Sequence, residues 1–435
     1  MKNVLVVGSG AREVAVSRKI SESKIKHALF CVSGLENPQI KGLCADYFVC
    51  PLSQIKNICE YALLQKIDLV FIGPENPLAE GIVNELEAVG ISCVGPKKEV
   101  AMIETSKAFA RNIIEGCAPE KNPKRKEFKS LVGVESFINK LNKDYVIKYD
   151  GLMGGKGVKI SGEHLTSVSD GLKYAQSLVE RGGSFLVEEK LIGEEFSLMS
   201  FVDGKTCCHM PIVQDHKRAF EGDLGPNTGG MGTHSFADHS LPFLKNSQVI
   251  EAQKTNELVV KQLLKETGVH FVGVLYGGFM LTGSGIKVIE YNARLGDPEA
   301  MNVLSLMKTD FLKVCGDIVG GTLTKSSVEF DGLSTVCKYA VPVGYPNNPS
   351  KDFVVNCNSK DPNIYLASVK LVKNRVVACG SRTVAVVGKD KNVSVAERLA
   401  EKLVSSIGGD LFHRKDIGTE SLISGRVNRM EKILK

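Results

Sequence analysis

This 435-residue chain lacks several sequence signals, and each absence excludes a class of protein. No run of roughly eighteen apolar residues occurs, so we expect no membrane span. None of its twelve cysteines forms a C-x-x-C pair, so a structural zinc site has no support and reduced thiols in the cytoplasm are expected. In the opening MKNVLVVGSG, a run of only four apolar residues precedes the glycine, too few for a signal peptide. No G-x-S-x-G motif supports a serine nucleophile.

Charge and length set broader limits. The formal net charge of +6 is modest for this length. It suits anionic small molecules and gives little reason to expect a nucleic-acid partner. Hydrophobic residues make up 43% of the chain, as in a globular protein. The length exceeds what one hydrophobic core serves and favours roughly three domains.

The densest group of charges and glycines occupies residues 214–232, which read QDHKRAFEGDLGPNTGGMG. A core strand does not accommodate so many charges, and a solvated surface loop does not require so many glycines. Glycines let the backbone turn its N–H groups towards an anion, and Lys217 and Arg218 add positive charge beside them. We therefore predict that this segment binds a small, highly charged ligand. An ordinary surface loop would explain either half of it alone.

Strand and helix patterns alternate along the first hundred residues and predict a doubly wound parallel sheet. Ligands bind such sheets at the loops after the strands, here residues 8–13, 73–77 and 95–97. Gly8-Ser9-Gly10 opens a helix, where backbone N–H groups favour an anion. Glu13 stands where a dinucleotide fingerprint needs glycine, so NAD binding is disfavoured. A plain strand–helix turn explains this motif about as well.

Three later segments carry ligand-type residues. VIKYDGLMGGKGVKI (146–160) has Lys148 on a strand and Lys156 in a glycine loop that can close over phosphates, although it is not a Walker loop. FLVEEKLIGEEF (185–196) ends an apolar strand with acceptors suited to adenine and ribose. The alternative for 146–160 is a hairpin with two surface lysines, and the alternative for 185–196 is a solvated charge cluster.

The third segment, IKVIEYNARLGDPE (286–299), alternates polar and apolar residues. A period of two predicts that one strand face carries Val288, Glu290, Asn292 and Arg294, and that Ile289 and Tyr291 lie on the other. A carboxylate and an amide oxygen there suit Mg²⁺ together with nucleotide phosphates, and Arg294 can hold a phosphate. A half-buried strand without a ligand is the alternative.

The end of the same segment resembles a helix start. Asp297 is predicted to cap the helix, and Pro298 to take its first position.

Together these segments resemble the phosphoribosylamine–glycine ligase family (glycinamide ribonucleotide synthetases) of the ATP-grasp superfamily. The match runs nearly end to end: GSGAREVA (8–15), GPENPLAEG (73–81), SKAFAR (106–111), IKYDGLMGGKGV (147–158), VEEKLIGEEFS (187–197), QDHKR…GPNTGGMG (214–232), EYNARLGDPE (290–299) and RKDIG (414–418). The QDHKR…GPNTGGMG segment is close to diagnostic of this family, whereas related carboxylate–amine ligases share the others more loosely.

The resemblance implies an α/β and α+β multidomain protein with an ATP-grasp fold. Its expected parts are an N-terminal doubly wound parallel α/β domain (1–104), a central ATP-grasp domain (105–121 and 191–330), a lid subdomain (122–190) and a small C-terminal domain (331–435). The implied reaction is ATP-dependent ligation of glycine to 5-phosphoribosylamine through glycyl phosphate. Another ATP-grasp carboxylate–amine ligase, or a nucleotide-binding homologue without turnover, is the alternative.

The resemblance also implies Mg²⁺ or Mn²⁺ as cofactor, ATP as substrate, and a cytoplasmic monomer without nucleic-acid or membrane partners. The implied ATP-binding residues are Lys107, Lys148, Lys156, Glu188, Lys190, Leu191 and Glu195. The implied metal ligands are Glu290 and Asn292. The implied phosphoribosylamine and glycine site comprises Gly10, Arg12, Glu13, Asp215, Asn227, Thr228, Arg294, Gly296 and Asp297. The implied catalytic residues are Lys148, Asp215, Lys217 and Arg294.

The chain departs from the family pattern in four places. Val14 replaces the histidine of the usual Gly-Gly-Arg-Glu-His run, which puts any catalytic role of that position in doubt. In the loop 33–37, only Gly34 of the usual glycine- and asparagine-rich sequence is kept in place. The strand 275–281 lacks the metal-binding acid of many ATP-grasp enzymes, so the remaining protein ligands are unassigned. The segment 118–130 is unusually basic and is predicted to be an exposed connector.

Overall fold

A computed structural model describes residues 1–153 and 157–435 of the chain. The predicted phosphate contact of Lys156 lies outside the described residues. None of the helices within those two ranges has both the length and the apolar composition that a bilayer crossing demands.

The N-terminal unit alternates strands and helices: β1 (Lys2–Val7), α1 (Ala11–Ser21), β2 (His27–Ser33), α2 (Pro38–Lys41), β3 (Asp46–Val49), α3 (Ile55–Leu64), β4 (Leu69–Ile72), α4 (Glu75–Glu80), α5 (Ile82–Ala88), β5 (Ser92–Val94) and α6 (Lys98–Thr105). The strands pair in parallel in the order β3-β2-β1-β4-β5. The central strands are continuous apolar runs because helices cover both faces of the sheet. The predicted doubly wound parallel sheet is confirmed.

A second unit follows: α7 (Lys107–Cys117), a 3-10 turn (Pro119–Lys121), β6 (Arg125–Phe128), α8 (Val134–Lys140), β7 (Tyr145–Tyr149), β8 (Val158–Ile160), α9 (Val168–Glu180) and β9 (Phe185–Glu189). Its strands form an antiparallel sheet of order β6-β9-β7-β8 with its own apolar core. The prediction that 118–130 is an exposed connector is wrong. Part of it is β6, and Lys121 is buried beside Glu251, a distant residue that local composition does not reveal.

The central unit contains β10 (Gly193–Asp203), β11 (Cys207–His209), β12 (Gln214–Asp215), β13 (Arg218–Phe220), a 3-10 turn (Glu221–Asp223), β14 (Leu224–Asn227), β15 (Gly232–Ser235), α10 (Asn246–Thr267), β16 (Val272–Thr282), β17 (Gly285–Asn292), α11 (Glu299–Leu306) and α12 (Phe311–Gly320). Its main sheet is antiparallel, in the order β11-β10-β16-β17. The segment 214–227 folds into β12 and the β13–β14 hairpin, which lie outside this sheet.

A β-bulge in β17 changes which side chains share a face. Ile289 is the extra residue, and Val288 and Tyr291 on either side of it both lie in the apolar core. The strict alternation therefore breaks, and Val288 does not share a face with Glu290 as predicted. Glu290 and Asn292 remain together on the side away from the core.

The C-terminal unit contains β18 (Ser334–Pro342), β19 (Ile364–Leu366), β20 (Val369–Val372), β21 (Arg375–Ala378), β22 (Val384–Asp390), α13 (Val393–Ser405), β23 (Leu411–Phe412) and α14 (Glu420–Leu434). Its sheet runs β12-β15-β18-β22-β19, so two of its strands come from the central unit. The last helix, α14, returns to pack on β10 and β16. The segment 214–232 is thereby held between the two units.

Candidate active site

The predicted ligand loops of the N-terminal sheet lie against the segment that follows β17. Arg12 donates through Nη1 to the Leu295 carbonyl oxygen (3.0 Å). Arg294 pairs with Glu75, with 3.2 Å between Nε and Oε2. These contacts bring the residues predicted from 8–13, 73–77 and 290–299 to one cleft.

Arg294 is fixed in this cleft by carboxylates. Its Nη2 lies 2.9 Å from Oε1 of Glu104, whose other oxygen accepts the Ala293 N–H at 2.8 Å. Burial alone would lower the pKa of Arg294, but Glu104 and Glu75 raise it. The guanidinium is therefore a permanent, oriented positive charge.

Glu13 closes the first of these loops. Its Oε2 accepts the Gly10 N–H (2.6 Å), and its Oε1 pairs with Arg12 Nε (2.6 Å). A Cβ atom on Gly73 would lie 2.1 Å from this carboxylate, so glycine is needed there. Val14, the departure from the family pattern, has no exposed surface and packs in the apolar core, so its side chain does not face the cleft.

A buried ion pair joins the lid sheet (β6-β9-β7-β8) to α7, and Arg111 of α7 links it in turn to β17 of the central unit. Glu188 accepts from Arg111 Nε (2.6 Å) and Nη2 (2.8 Å), and Lys148 Nζ lies 2.8 Å from its Oε2. Burial would raise the pKa of Glu188, but Arg111 and Lys148 lower it to about 2. Both carboxylate oxygens are engaged, so the adenine contact of Glu188 stays a prediction. No role was predicted for Arg111, which also donates to backbone carbonyls of β17.

Lys107 stands at the start of α7 and donates to the Gly151 carbonyl oxygen (2.9 Å). Burial and the neighbouring Lys148 lower its pKa, against the opposite influence of Glu290. Asp150 accepts the Ala108 N–H at 3.1 Å and so ties the loop after β7 to this helix. The two predicted phosphate-binding lysines within the described residues therefore share one region.

Of the other residues of the predicted nucleotide site, Lys190 and Leu191 lie on the connection from β9 to β10, and Glu195 lies on β10. Lys190 donates to the Ser161 carbonyl oxygen (3.0 Å), and Leu191 follows it in the chain. Glu195 pairs with Lys217, with 3.0 Å between Oε2 and Nζ. These contacts link the nucleotide side of the cleft to the segment 214–232.

Glu290 and Asn292 fit a divalent cation. The side chain of Glu290 is exposed to solvent within the cleft and, among the described residues, has no ion-pair partner. Enclosure by the surrounding cleft would raise its pKa, but Lys217, Lys148 and Lys107 lower it. Nor does the Asn292 side chain make a hydrogen bond within that part of the chain. The described residues contain no group of three or more His, Cys, Asp or Glu suited to a metal. A bound ion would therefore complete its shell with water and phosphate oxygens, as Mg²⁺ commonly does.

Asp215 and Lys217 lie on either side of the buried His216. The carboxylates of Glu195, Glu290 and Asp215 outweigh burial and raise the pKa of Lys217. Burial and the nearby Glu299 raise the pKa of Asp215 well above its usual range. The cleft thus holds a firmly protonated lysine beside a carboxyl group that binds a proton readily.

The glycine-rich loop folds back on this pair. Thr228 donates to the Lys217 carbonyl oxygen through its N–H (2.7 Å) and its hydroxyl (2.9 Å). Asn227 ends β14 opposite Arg218. Gly230 has a φ of 106°, and a Cβ there would lie 2.7 Å from Asp215 Oδ1, so only glycine allows this approach.

The turn before α11 was predicted as a helix cap, and that prediction is wrong. Pro298 is the N-cap and the helix begins at Glu299. Asp297 instead accepts from the Tyr339 hydroxyl (2.7 Å), and a Cβ on Gly10 would lie 3.7 Å from its Oδ2. Gly296 leaves room for Glu299, whose Oε2 would be 2.4 Å from a Cβ there.

Arg382 is a site residue that the sequence did not reveal. It lies before β22 and donates to the carbonyl oxygens of Gly229, Gly230 and Asp297. Its guanidinium carbon stacks 4.7 Å above the Tyr339 ring. No motif surrounds it, and only the fold brings it to the glycine-rich loop.

This fold and this cleft define an ATP-dependent carbon–nitrogen ligase of the ATP-grasp class. Family models of phosphoribosylglycinamide synthetase match its N domain (residues 2–104), its ATP-grasp (A) domain (105–300) and its C domain (335–420). The chain belongs to the phosphoribosylamine–glycine ligase family.

Individual relatives agree over the full length. The phosphoribosylamine–glycine ligase of Methanosarcina barkeri is 44% identical over 431 residues, and that of Methanococcoides burtonii is 46% identical over 432; each match covers 99% of both chains. The crystal structure of phosphoribosylamine–glycine ligase from Thermotoga maritima is similar with a TM-score of 0.79 and 28% identity. That match covers 95% of this chain and 100% of the other.

Proposed function

We propose that this protein joins glycine to 5-phosphoribosylamine in purine biosynthesis, with conversion of ATP to ADP and phosphate. The observation that carries the proposal is the convergence of Lys107, Lys148, Lys217 and Arg294 around Glu290. Such a set of oriented cations suits an anionic nucleotide and a phosphorylated amine together.

In the first step, a carboxylate oxygen of glycine attacks the γ-phosphorus of ATP. The new oxygen–phosphorus bond forms as the bond to the bridging oxygen breaks, giving glycyl phosphate and ADP. Lys107, Lys148 and Arg294 stabilise the charge on the transferring group. Glu290 and Asn292 would hold Mg²⁺ or Mn²⁺, which neutralises phosphate charge.

In the second step, the amine nitrogen of phosphoribosylamine attacks the acyl carbon. The carbon–nitrogen bond forms, the carbon–oxygen bond breaks, and phosphate leaves. The nitrogen must then lose a proton. Asp215 is suited to accept it, because burial and Glu299 raise the pKa of its carboxyl group.

Glycyl phosphate must be protected from water. Glu163, which follows β8 of the lid sheet, contacts the segment 214–232 by pairing with Arg218. Its Oε1 also lies 3.5 Å from Nζ of Lys190. We propose that the contact between Glu163 and Arg218 closes the cleft during turnover.

The test is ADP release by the purified protein with Mg²⁺, ATP and freshly made phosphoribosylamine, with and without glycine. We expect ADP only with glycine, together with glycinamide ribonucleotide. Glu290→Ala, prepared identically, controls for contaminating ATPase and should release none. ADP release that formate or bicarbonate supports as well as glycine does would point to another carboxylate–amine ligase. ATP binding without ADP production would point to a homologue that has lost turnover.

A further inference from the structure

The last helix, α14, contacts the segment 214–232 through Arg426. Arg426 on α14 is 8% exposed and lies beyond residues 335–420 of the matched C domain. Its Nη2 is 3.1 Å from Nδ1 of His216 and 2.8 Å from Oδ2 of Asp223, and its Nη1 is 2.7 Å from Oε2 of Glu194. One guanidinium therefore joins β10, the residue that follows β12 and the tip of the β13–β14 hairpin.

This contact fixes the state of two histidines. Arginine only donates hydrogen bonds, so Nδ1 of His216 is the acceptor and its proton lies on Nε2. That nitrogen is 3.1 Å from Nδ1 of His234, and the two rings stack with 5.2 Å between their centroids. Burial and the nearby Arg426 lower the pKa of both groups, that of His234 to about 3. His216 is thus a neutral anchor with one orientation.

His216 is the residue between two side chains of the proposed site. Its N–H donates to the Gly232 carbonyl oxygen (3.0 Å), and its own carbonyl accepts the Met231 N–H (2.8 Å). The backbone that carries Asp215 and Lys217 is therefore bound to the glycine-rich loop at this point. A shift of the His216 ring would move both neighbours.

Two arginines near the C-terminus, Arg414 and Arg426, hold the tip of the β13–β14 hairpin. Asp223 accepts from Arg426 through one oxygen and from Arg414 Nη1 (3.0 Å) through the other. Arg414 is 1% exposed and also pairs with Asp416, at 2.7 Å between Nη2 and Oδ2. The RKDIG motif (414–418) thus takes part in holding the segment 214–227.

We propose that Arg426 is a positioning residue of the ligation reaction, acting through His216 and Asp223 to orient Asp215 and Lys217 towards phosphoribosylamine and glycine. This inference rests on the proposed function. Arg426 does not contact the lysines predicted to bind ATP phosphates that lie within the described residues. Its effect should therefore fall on the amine and glycine rather than on the nucleotide.

The test compares Arg426→Met with Arg429→Met in the full chain. Arg429 is a matched control: it lies on the same helix, pairs with the same Glu194 at 3.0 Å, and is half exposed without touching His216 or Asp223. For Arg426→Met we expect kcat/KM for phosphoribosylamine to fall about tenfold or more, since small misplacements of reacting groups are costly. The Kd for the non-hydrolysable analogue AMP-PNP with Mg²⁺ should change by less than about twofold, as should every constant of Arg429→Met.

Two further variants keep the test decisive. Arg426→Lys retains the charge without the fork of donors and should recover part of the lost rate. If Arg426→Met does not fold, Asp223→Asn removes a partner from the opposite side and should show the same kinetic pattern. Identical kinetics for Arg426→Met and Arg429→Met, or lowered thermal stability with unchanged kcat and KM, would overturn the assignment. A wild type that releases no ADP would instead refute the ligase function, and this role with it.

Discussion

Replacing Glu188 by glutamine should destabilise the protein strongly. The substitution leaves Arg111 and Lys148 buried beside each other without their shared carboxylate. Holding the pKa of Glu188 at about 2 instead of 4.5 corresponds to about 3 kcal/mol in favour of its charged form. Loss of one partner from a buried pair costs about 3–5 kcal/mol. We therefore expect the free energy of unfolding to fall by about 3 kcal/mol.

The assay is urea unfolding at pH 7, followed by circular dichroism because the chain contains no tryptophan. The pKa of Glu188 is depressed, so its stabilisation is complete above the ordinary value of 4.5 and is lost as pH falls through about 2. The difference between wild type and variant should consequently stay constant between about pH 6 and 8.

Glu189→Gln is the matched control. Glu189 is the next residue, is only partly buried, and accepts one backbone N–H from Lys124 at 2.9 Å. Its replacement should cost less than about 1 kcal/mol. If Glu188→Gln is no less stable than Glu189→Gln, the buried ion pair does not hold the lid sheet to the central unit and the reasoning is wrong.

Three further substitutions test the site. Asp215→Asn should abolish most turnover yet increase the free energy of unfolding, because the pKa of the buried Asp215 carboxyl group is raised; the gap in thermal stability between variant and wild type should be small near pH 4 and widen as pH rises. Lys148→Ala should reduce glycine-dependent ADP release by about a hundredfold or more, measured with saturating ATP. Arg382→Met should raise the KM for phosphoribosylamine about tenfold, in steady-state kinetics, with ATP affinity unchanged, because the glycine-rich loop loses its link to Asp297.

The sequence predicted helices and strands well where the residues that determine them are neighbours in the chain. Glycines break the first strand and an apolar stripe follows, a pattern that predicts a helix over 11–21, and α1 spans those residues. The sequence of residues 248–267 likewise predicts a long helix, and α10 begins two residues before that range, at Asn246. Two elements were not predicted: β3, a short strand at the sheet edge, and α14, whose partners lie about two hundred residues earlier in the chain.

Within the site, alternation correctly grouped Glu290 with Asn292, but it did not reveal the bulge at Ile289. A bulge depends on how β17 pairs with β16, and one strand read alone does not contain that information. The same limit applies to Arg111 and Arg382. The acceptors of their side-chain hydrogen bonds lie 77 or more residues away, so no spacing within a motif marks them.

Three glutamates of the cleft share a pairing arrangement that the sequence did not suggest. Glu188 pairs with Lys148, Glu195 with Lys217, and Glu104 with Arg294, so each proposed catalytic cation already has a carboxylate that sets its direction. The contacts of Glu188 and Glu195 with adenine and ribose stay predictions, but these ion pairs give both residues a role before any nucleotide binds. Cations fixed in this way need little rearrangement when charge develops on a transferring phosphoryl group. It follows that glutamine at Glu195 should weaken catalysis more than ATP binding, because Lys217 would keep its charge and lose its orientation.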